Sequence, residues 1–337
     1  MNKGIIVLFC VALMSFSAPS EASQCDMVPL GVNLSGGEFG GVYPGVRGRD
    51  YSYPSLEDYK SFKDSGVKIV RVPFRWERIQ PILGMPLDSQ ALTDLDNIVD
   101  TANKYGMSVI LDMHNSAMFK DFSMSNNALL INSYLETWGS LARHYAGRGN
   151  VLLGLMNEPI KIGADEWFSI TQKTIGKIRG SGFKGALLVS GVIYTGVHSW
   201  LKKIDGVSNA DAFSGLADPL GNTFVEMHQY FDVDYSGTHD QCKSDFDAVK
   251  IFTGATTWLR EHHLKGFLGE FGAAANTDCL SDLDKTLAYL NDNKDVWGGA
   301  TFWSAGSRWG ASYPYLIDQK RGKGLDILAH LMGYMCK

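Results

Sequence analysis

The stretch Leu153-Gly154-Leu155-Met156-Asn157-Glu158-Pro159 joins a short apolar run to an amide, a carboxylate and a proline. The apolar run predicts a buried β-strand, which ends at Pro159 because proline has no N–H to donate to a sheet ladder. Asn157 and Glu158 therefore stand at the C-terminal tip of that strand. A second run, Gly266-Phe267-Leu268-Gly269-Glu270-Phe271-Gly272, likewise places a carboxylate after a short apolar stretch.

Short apolar runs of this kind recur through the chain and alternate with longer segments whose apolar residues fall every three or four positions. The eight runs cover residues 30–34, 67–74, 108–114, 151–156, 186–192, 224–231, 266–271 and 300–303. Strands that alternate with helices predict parallel pairing and a closed (β/α)₈ barrel, in which chemistry occurs at the C-terminal ends of the strands. A doubly wound open sheet is the alternative, but no G-x-G-x-x-G follows the first strand.

The N-terminal segment 1–22 has the features of a secretory signal peptide. Its apolar run, residues 5–14, is too short to cross a bilayer. We therefore predict an exported protein whose residues 23–337 form a single catalytic domain. A lipoprotein anchored at Cys25 is the alternative, but Gln24 occupies the position where a small residue is needed.

Charge and cysteine content limit the partners and the compartment. The formal net charge is −5, and without a run of Lys and Arg we expect neither nucleic acid nor an anionic membrane as a partner. Four cysteines follow the signal segment, and an even number in an exported chain favours disulfides. Three pairings are possible. If Cys242 and Cys279 follow adjacent strands on one rim and Cys25 and Cys336 lie near the chain ends, the pairing that spans the shortest distances is Cys242 with Cys279 and Cys25 with Cys336.

Polar and aromatic side chains stand at the ends of the predicted strands, where packing alone would place apolar ones. Each of them alone is more often structural: a salt-bridge arginine, a core histidine or a core tryptophan. Their occurrence together at one rim favours a functional site. These residues are Arg71, His114, Asn157, Glu158, His228, Tyr230, Glu270 and Trp303.

The motifs around these residues resemble those of retaining endoglucanases of glycoside hydrolase family 5, and in particular its fungal-type endo-β-1,4-glucanase branch. The resemblance extends over essentially the whole predicted mature chain. The motifs that carry it are Gly31-Val32-Asn33 with Glu38-Phe39-Gly40, Arg71-Val72-Pro73-Phe74, Asp112-Met113-His114-Asn115, Asn157-Glu158-Pro159, Tyr194-Thr195-Gly196 with His198-Ser199-Trp200, His228-Gln229-Tyr230 with Ser236-Gly237-Thr238, and Gly269-Glu270-Phe271-Gly272.

The resemblance implies that Glu158 is the general acid/base and that Glu270 is the nucleophile. A retaining glycosidase needs two such carboxyls roughly 5 Å apart, one protonated and one ionised. Arg71 beside Glu270 is expected to keep that carboxylate ionised, and the Tyr230 hydroxyl to donate a hydrogen bond to it. His228 is expected to tune the proton on Glu158.

The resemblance also implies substrate-binding residues. Asn157 is expected to bind the sugar 2-hydroxyl, His114 another hydroxyl of the same sugar, and Trp303 to form the floor beneath it. Further aromatic side chains at or just past strand ends are expected to stack on glucose rings along a groove. They are Trp76, Tyr194, Trp200, Tyr230 and Trp309, whereas Trp138 and Trp258 fall in helical segments and are expected to pack in the core.

One segment departs from the family pattern. After the eighth strand the family tends to carry a second aromatic residue and a proline, whereas this chain has Ser304-Ala305-Gly306-Ser307-Arg308-Trp309-Gly310. Arg308 is expected to bind a hydroxyl of a neighbouring sugar or to favour an acidic or substituted glycan.

The predicted function is that of an endo-β-1,4-glucanase that acts as a monomer on a β-glucan polysaccharide or oligosaccharide, with no cofactor and no metal. A β-mannanase or a xyloglucan- or mixed-linkage-specific glucanase would share its catalytic residues. An inactive glycan-binding protein is a further alternative, although it has no reason to retain Arg71 and Tyr230 beside the nucleophile. A metal-dependent hydrolase using His114, His228 and Asp112 lacks the expected His-x-His on the first strand.

Overall fold

The structure of the protein, a computed structural model, describes residues 26–335. Within these residues eight parallel strands close into a barrel, and each strand pairs with its neighbours in chain order. The strands are β1 Leu30–Leu34, β2 Ile69–Phe74, β3 Ser108–Met113, β4 Val151–Gly154, β5 Leu187–Ser190, β6 Thr223–Tyr230, β7 Lys265–Gly272 and β8 Trp297–Ala305. The predicted (β/α)₈ barrel is confirmed. The predicted signal segment 1–22, Cys25 and Cys336 lie outside the described residues.

A helix follows each strand before the chain re-enters the barrel. These helices are α1 Leu56–Lys63, α2 Ser89–Lys104, α3 Ala128–Tyr145, α4 Ala164–Gly180, α5 Asn209–Phe213, α6 Ala248–Glu261, α7 Thr277–Asp292 and α8 Leu325–Gly333. α1 begins with a capping box, in which the side chains of Ser55 and Asp58 each accept a hydrogen bond from the backbone N–H of the other residue. No helix within residues 26–335 is both long enough and apolar enough to cross a membrane.

The barrel interior changes from apolar to polar along its axis. A separate apolar cluster of Ile110, Leu188 and Phe267, with Ile69, Leu152 and Phe224 packed against it, fills one layer. Because side chains alternate along a strand, the residues two positions further on face the same interior. Those positions include Arg71, Asp112 and Glu226, all with no exposed surface. The apolar layer therefore closes the barrel beneath a buried layer of charges.

A disulfide joins Cys242 to Cys279, the pairing that the sequence predicts. It connects the loop that follows β6 to the first turn of α7, with Cα atoms 5.4 Å apart. The same loop is held by Asp232, whose carboxylate accepts backbone N–H groups from Gly237, Thr238 and His239. The long connection on this side of the barrel mouth is therefore fixed at both ends.

Candidate active site

Arg71 is the centre of the polar layer. Its guanidinium contacts three carboxylates: Nη2 lies 3.1 Å from Asp112, Nε lies 3.0 Å from Glu226, and Nη1 lies 2.9 Å from Glu270. Burial opposes the charge, but the three carboxylates outweigh it and raise the pKa of Arg71 above its usual range. Arg71 is therefore a permanent buried cation that links strands β2, β3, β6 and β7.

Glu270 stands at the end of β7 with its two oxygens engaged separately. Oε1 accepts from Arg71 at 2.9 Å, and Oε2 accepts from the hydroxyl of Tyr230 at 2.6 Å. Burial alone would raise the pKa of Glu270, but His228, Arg71 and His114, together with the Tyr230 hydroxyl, bring it below its ordinary value. Glu270 is therefore an ionised carboxylate with a fixed orientation.

Glu158 follows β4 and has a different environment. Its backbone lies in the left-handed region, with φ +43°, a conformation uncommon outside glycine. One carboxyl oxygen lies 2.8 Å from Nδ1 of His228, and 22% of the side chain is exposed. A ligand atom of Glu158 and one of Glu270 lie within 4.8 Å of each other, with His228 beside both. The two carboxyls thus face one reaction centre from opposite strands.

The amide and the second histidine lie on the β2–β4 side of this centre. Asn157 Oδ1 accepts from Arg71 at 2.8 Å, and its Nδ2 lies 3.2 Å from Nε2 of His114. His114 is held from behind by Asp112, whose carboxylate lies 2.8 Å from Nδ1. Burial opposes protonation of His114, but Asp112 outweighs it and raises its pKa. Trp303 stacks near-parallel on the His114 ring with 5.6 Å between centroids.

Two adjoining cavities form a cleft across this centre. One, of about 350 Å³, is lined by His114, Glu158, Tyr230, Glu270, Trp303, Trp309 and Tyr313. The other, of about 430 Å³, shares Glu158 and Tyr230 with it and extends past Tyr194, His198, His228 and Tyr235. The cleft therefore continues on both sides of Glu158, with aromatic rings on each side.

Most of the predicted site residues come together in this cleft, but not all of them. Tyr194 is 59% exposed and lines the second cavity, and Trp309 lines the first and stacks on Tyr313 at 4.1 Å. Arg308 lies outside both linings and donates to the backbone carbonyl of Tyr53 at 3.3 Å.

The prediction that Trp200 stacks on a sugar is wrong. Its side chain has no exposed surface and packs against Phe213 and Trp258, so no face of the ring can meet a ligand. Trp76 is likewise fully buried, with Nε1 bonded to Gln80 and Thr137. Trp76 lies two residues and Trp200 ten residues after the preceding strand, and in both cases the chain has already turned back towards the core.

The sequence reasoning missed Glu226 and Tyr313. Glu226 could have been found, because a charged residue stands between the apolar residues Val225 and Met227 and two positions before His228, hence on the same face. Tyr313 carries no such signal, since it lies in a loop and is placed in the cleft by stacking on Trp309 and by its hydrogen bond to the Gly237 carbonyl.

Two groups of side chains within the described residues have ligand atoms close enough to share a cation: Glu158 with His228 and Glu270, and Asp232 with Asp234 and His239. In the first group the pKa of His228 is about 10, since burial opposes protonation but Glu270, Glu158 and Glu226 outweigh it. A protonated ring has no lone pair for a metal. In the second group the Asp232 carboxylate is already occupied by backbone N–H groups of its own loop.

Comparison with known proteins finds a family model and a relative that match most of the chain. Residues 31–306 match the family model described as cellulase (glycosyl hydrolase family 5). The endo-beta-1,4-glucanase A of Emericella nidulans is 33% identical over 317 residues, which cover 93% of this chain and 92% of that protein.

Solved structures agree in fold and in family. The structure of XacCel5A in complex with cellopentaose has 40% sequence identity and a TM-score of 0.89, and covers 92% of this chain and 100% of its own. An endo-beta-1,4-glucanase of Xanthomonas axonopodis pv. citri has 35% identity and a TM-score of 0.88, and covers 92% and 100%.

Proposed function

Because the chain belongs to the cellulase family, glycosyl hydrolase family 5, we propose that it is an endo-β-1,4-glucanase that cleaves internal bonds of cellulose or a related β-glucan. Members of this family are glycoside hydrolases that retain the anomeric configuration, which requires two carboxyls roughly 5 Å apart. The observation that carries the proposal is the placement of Glu158 and Glu270 within 4.8 Å of each other, in environments of opposite character.

In the first chemical step Glu270 is the nucleophile and Glu158 the acid. A Glu270 oxygen forms a bond to the anomeric carbon while the bond from that carbon to the leaving oxygen breaks and the proton of Glu158 passes to that oxygen. Arg71 and Tyr230 keep Glu270 ionised and aim it beforehand, so no solvent has to reorganise in the transition state.

In the second step the roles of Glu158 reverse. Glu158, now a carboxylate, takes a proton from a water molecule whose oxygen attacks the anomeric carbon, and the bond to Glu270 breaks. The product keeps the original configuration and both carboxyls return to their starting states. The partial exposure of Glu158 fits this role, because the attacking water has to reach it.

The sugar at the reaction centre is placed between His114, Asn157 and Trp303. Arg71 holds Oδ1 of Asn157, which places Nδ2 beside His114, a residue of the cleft lining. From this position Nδ2 would donate to the 2-hydroxyl as charge develops on the ring. Trp309 and Tyr194 offer faces for further rings on the two sides of the centre. The complex of XacCel5A with cellopentaose supports an oligosaccharide ligand for this cleft.

The cleft is open on both sides of Glu158, which supports attack within a chain rather than at its end. We also propose that the protein is exported through its N-terminal segment, residues 1–22, and acts as a monomer. The disulfide between Cys242 and Cys279 supports export, because such bonds persist in oxidising compartments.

The first experiment is product analysis of the mature protein on carboxymethylcellulose, mixed-linkage β-glucan, xyloglucan and glucomannan. A rapid fall in viscosity with few new reducing ends is expected on the β-1,4-glucans, because internal cleavage shortens chains quickly. Glu158→Gln and Glu270→Gln should lose this activity by at least about 1,000-fold while still binding oligosaccharide.

Full turnover by Glu270→Gln would refute the proposed nucleophile. Preferential release from glucomannan would reassign the enzyme to the mannanases of the same fold. Binding without release from any of the four polymers would favour a glycan-binding protein.

A further inference from the structure

Glu226 is a buried carboxylate that the two-step reaction described above does not use. It lies on β6, two residues before His228, and no part of it is exposed. It does not line either cavity of the cleft. An ionised group so far from water is costly unless its partners compensate the charge, so its partners indicate its role.

A single oxygen of Glu226 contacts two cations. Oε1 lies 3.0 Å from Nε of Arg71 and 3.4 Å from Nε2 of His228. Arg71 holds the nucleophile Glu270, and His228 contacts the acid/base Glu158. Glu226 therefore joins the supports of the two catalytic carboxyls behind the floor of the site.

The chain makes room for this carboxylate at the neighbouring strand. Gly269, the residue before Glu270, lies against it, and a Cβ at that position would overlap Oε1 of Glu226. The pairing of β6 with β7 also changes register here, from Met227 opposite Leu268 to His228 opposite Glu270, which leaves Gly269 out of the ladder. The position of Glu226 is therefore built into the strand that carries the nucleophile.

The other side of His228 faces both reacting carboxyls. Its Nδ1 lies 2.8 Å from Glu158 and 3.6 Å from Glu270. During glycosylation Glu270 loses its negative charge to the ester while Glu158 acquires one as it gives up its proton. Negative charge thus moves from one neighbour of His228 to the other, and returns in the second step.

We propose that Glu226 is a positioning residue that keeps the His228 ring in the imidazolium form, an inference that rests on the proposed roles of Glu158 and Glu270. The Nε2–H of His228 then points to Glu226, and its Nδ1–H lies between the two reacting carboxyls. The fixed positive charge then stabilises the negative charge on either carboxyl. Without Glu226, His228 would tend to the neutral form, and the charge on Glu158 after proton transfer would lack a partner.

The groups around His228 agree with a stable imidazolium. Glu158 faces it from the end of β4, Glu270 from β7 and Glu226 from its own strand, with Arg71 beyond Glu226. Burial opposes protonation, but these carboxylates raise the pKa of His228 to about 10. His198, from the segment that pairs with the His228 backbone through Gly196, has a lowered pKa because of its burial and adds no charge at neutral pH.

The test is Glu226→Gln, which keeps an oxygen acceptor of the same reach but removes the charge. We expect the pKa of the His228 ring to fall by about one unit or more, since loss of a carboxylate disfavours the charged ring. KM for cellooligosaccharides should stay within about twofold, because Glu226 touches no substrate.

The matched control is Asp112→Asn, which removes a different carboxylate from Arg71 and leaves the His228 contacts intact. The pKa of His228 should stay at its wild-type value in this variant, although its activity falls through Arg71 and His114. An equal fall of the His228 pKa in both variants would assign the effect to Arg71, and an unchanged His228 pKa in folded Glu226→Gln would reject the role of Glu226.

NMR titration of the His228 ring nitrogens gives a readout that does not depend on turnover. The ring should lose its proton at lower pH in Glu226→Gln than in the wild type, and an identical titration would overturn the proposal. If Glu226→Gln does not fold, Glu226→Asp, which keeps the charge but shortens its reach, should show a smaller shift in the same direction. A wild-type protein with no glucanase activity would reject the proposed function without affecting this titration.

Discussion

At the scale of single residues, the site gives two chemically identical side chains different partners. Glu270 has Arg71 and Tyr230 as direct partners and is held ionised, whereas Glu158 has His228 and contact with solvent. The difference follows from position on the barrel, since Arg71 on β2 contacts the carboxylate of Glu270 on β7 but, at the end of β4, contacts the amide of Asn157 and not Glu158. The two glutamates therefore differ in their partners and in their exposure.

The contribution of Tyr230 is testable through pH dependence. Tyr230→Phe removes the hydroxyl that donates to Glu270 at 2.6 Å, which raises the pKa of Glu270 from its lowered value. Because Glu270 has to be ionised to attack, the acid limb of the kcat/KM profile should move to higher pH. A hydrogen bond to a charged group is worth about 1.5–3 kcal/mol, so kcat should fall by roughly tenfold or more.

A matched control for this variant is Tyr315→Phe. Tyr315 is also buried and stacks on Tyr230, but its hydroxyl donates to the backbone carbonyl of His239. This variant should lose about 1 kcal/mol of stability and leave the acid limb unchanged. An unshifted acid limb in Tyr230→Phe would show that the hydroxyl does not control the ionisation of Glu270.

At the scale of elements, the segment that follows β5 contains one exposed and one buried aromatic residue, Tyr194 and Trp200. Ile193, Tyr194 and Thr195 all have positive φ, which turns the chain sharply and leaves the Tyr194 ring exposed. Thr195 fixes the turn, since its Oγ1 donates to the Glu226 carbonyl and accepts from the Gly191 N–H. The chain then enters the core, so Trp200 is buried.

Substitution of Trp200 should lower stability, whereas substitution of Tyr194 should weaken substrate binding. Trp200→Ala removes a fully buried indole and should lower the free energy of unfolding by about 3–5 kcal/mol, with an unchanged KM in the protein that folds. Tyr194→Ala removes an exposed ring and should change stability by less than about 0.5 kcal/mol. It should raise KM for long cellooligosaccharides by roughly fivefold or more, since stacking of a sugar on an aromatic ring is worth about 1 kcal/mol.

Denaturant unfolding and oligosaccharide kinetics on both variants provide the measurement. A KM for Tyr194→Ala equal to that of the wild type on every chain length would remove Tyr194 from the binding surface. A Trp200→Ala variant as stable as the wild type would contradict the packing of this residue on Phe213 and Trp258.

At the scale of the whole molecule, the barrel provides a rigid frame and the long loops complete the cleft. The loop after β6 carries Asp234, Tyr235 and Ser236 into the second cavity. It is tied by the Asp232 hydrogen bonds and by the disulfide from Cys242 to Cys279. The cross-link therefore restrains a wall of the cleft as well as the unfolded chain.

Removal of this disulfide should cost about 3–4 kcal/mol, because the bond closes a loop of 37 residues in sequence separation. The variant Cys242→Ser with Cys279→Ser should unfold at lower denaturant concentration than the oxidised protein. Reductant should destabilise the wild type but have no effect at this site in the double variant. Equal midpoints for the double variant and the oxidised protein would show that the loop is held by hydrogen bonds alone.

The sequence by itself determined the fold class and the family, and it predicted most of the side chains that the structure brings together at the cleft. Apolar periodicity gave the alternation of strands and helices, and the strand ends then placed Arg71, Glu158 and Glu270 on one rim. These inferences succeed because strand ends in a parallel barrel all point to the same face. The pairing of Cys242 with Cys279 followed from the same reasoning.

Only the tertiary structure decided which side chains reach the cleft and which partners set their charge. Trp200 and Tyr194 lie six positions apart in one segment, yet the backbone turn buries the first and exposes the second. Glu226 became visible as a partner of Arg71 and His228 only when β2 and β6 faced each other across the barrel interior. The physical reason is that burial and ion pairing depend on distances between residues far apart in the chain, which a local pattern does not encode.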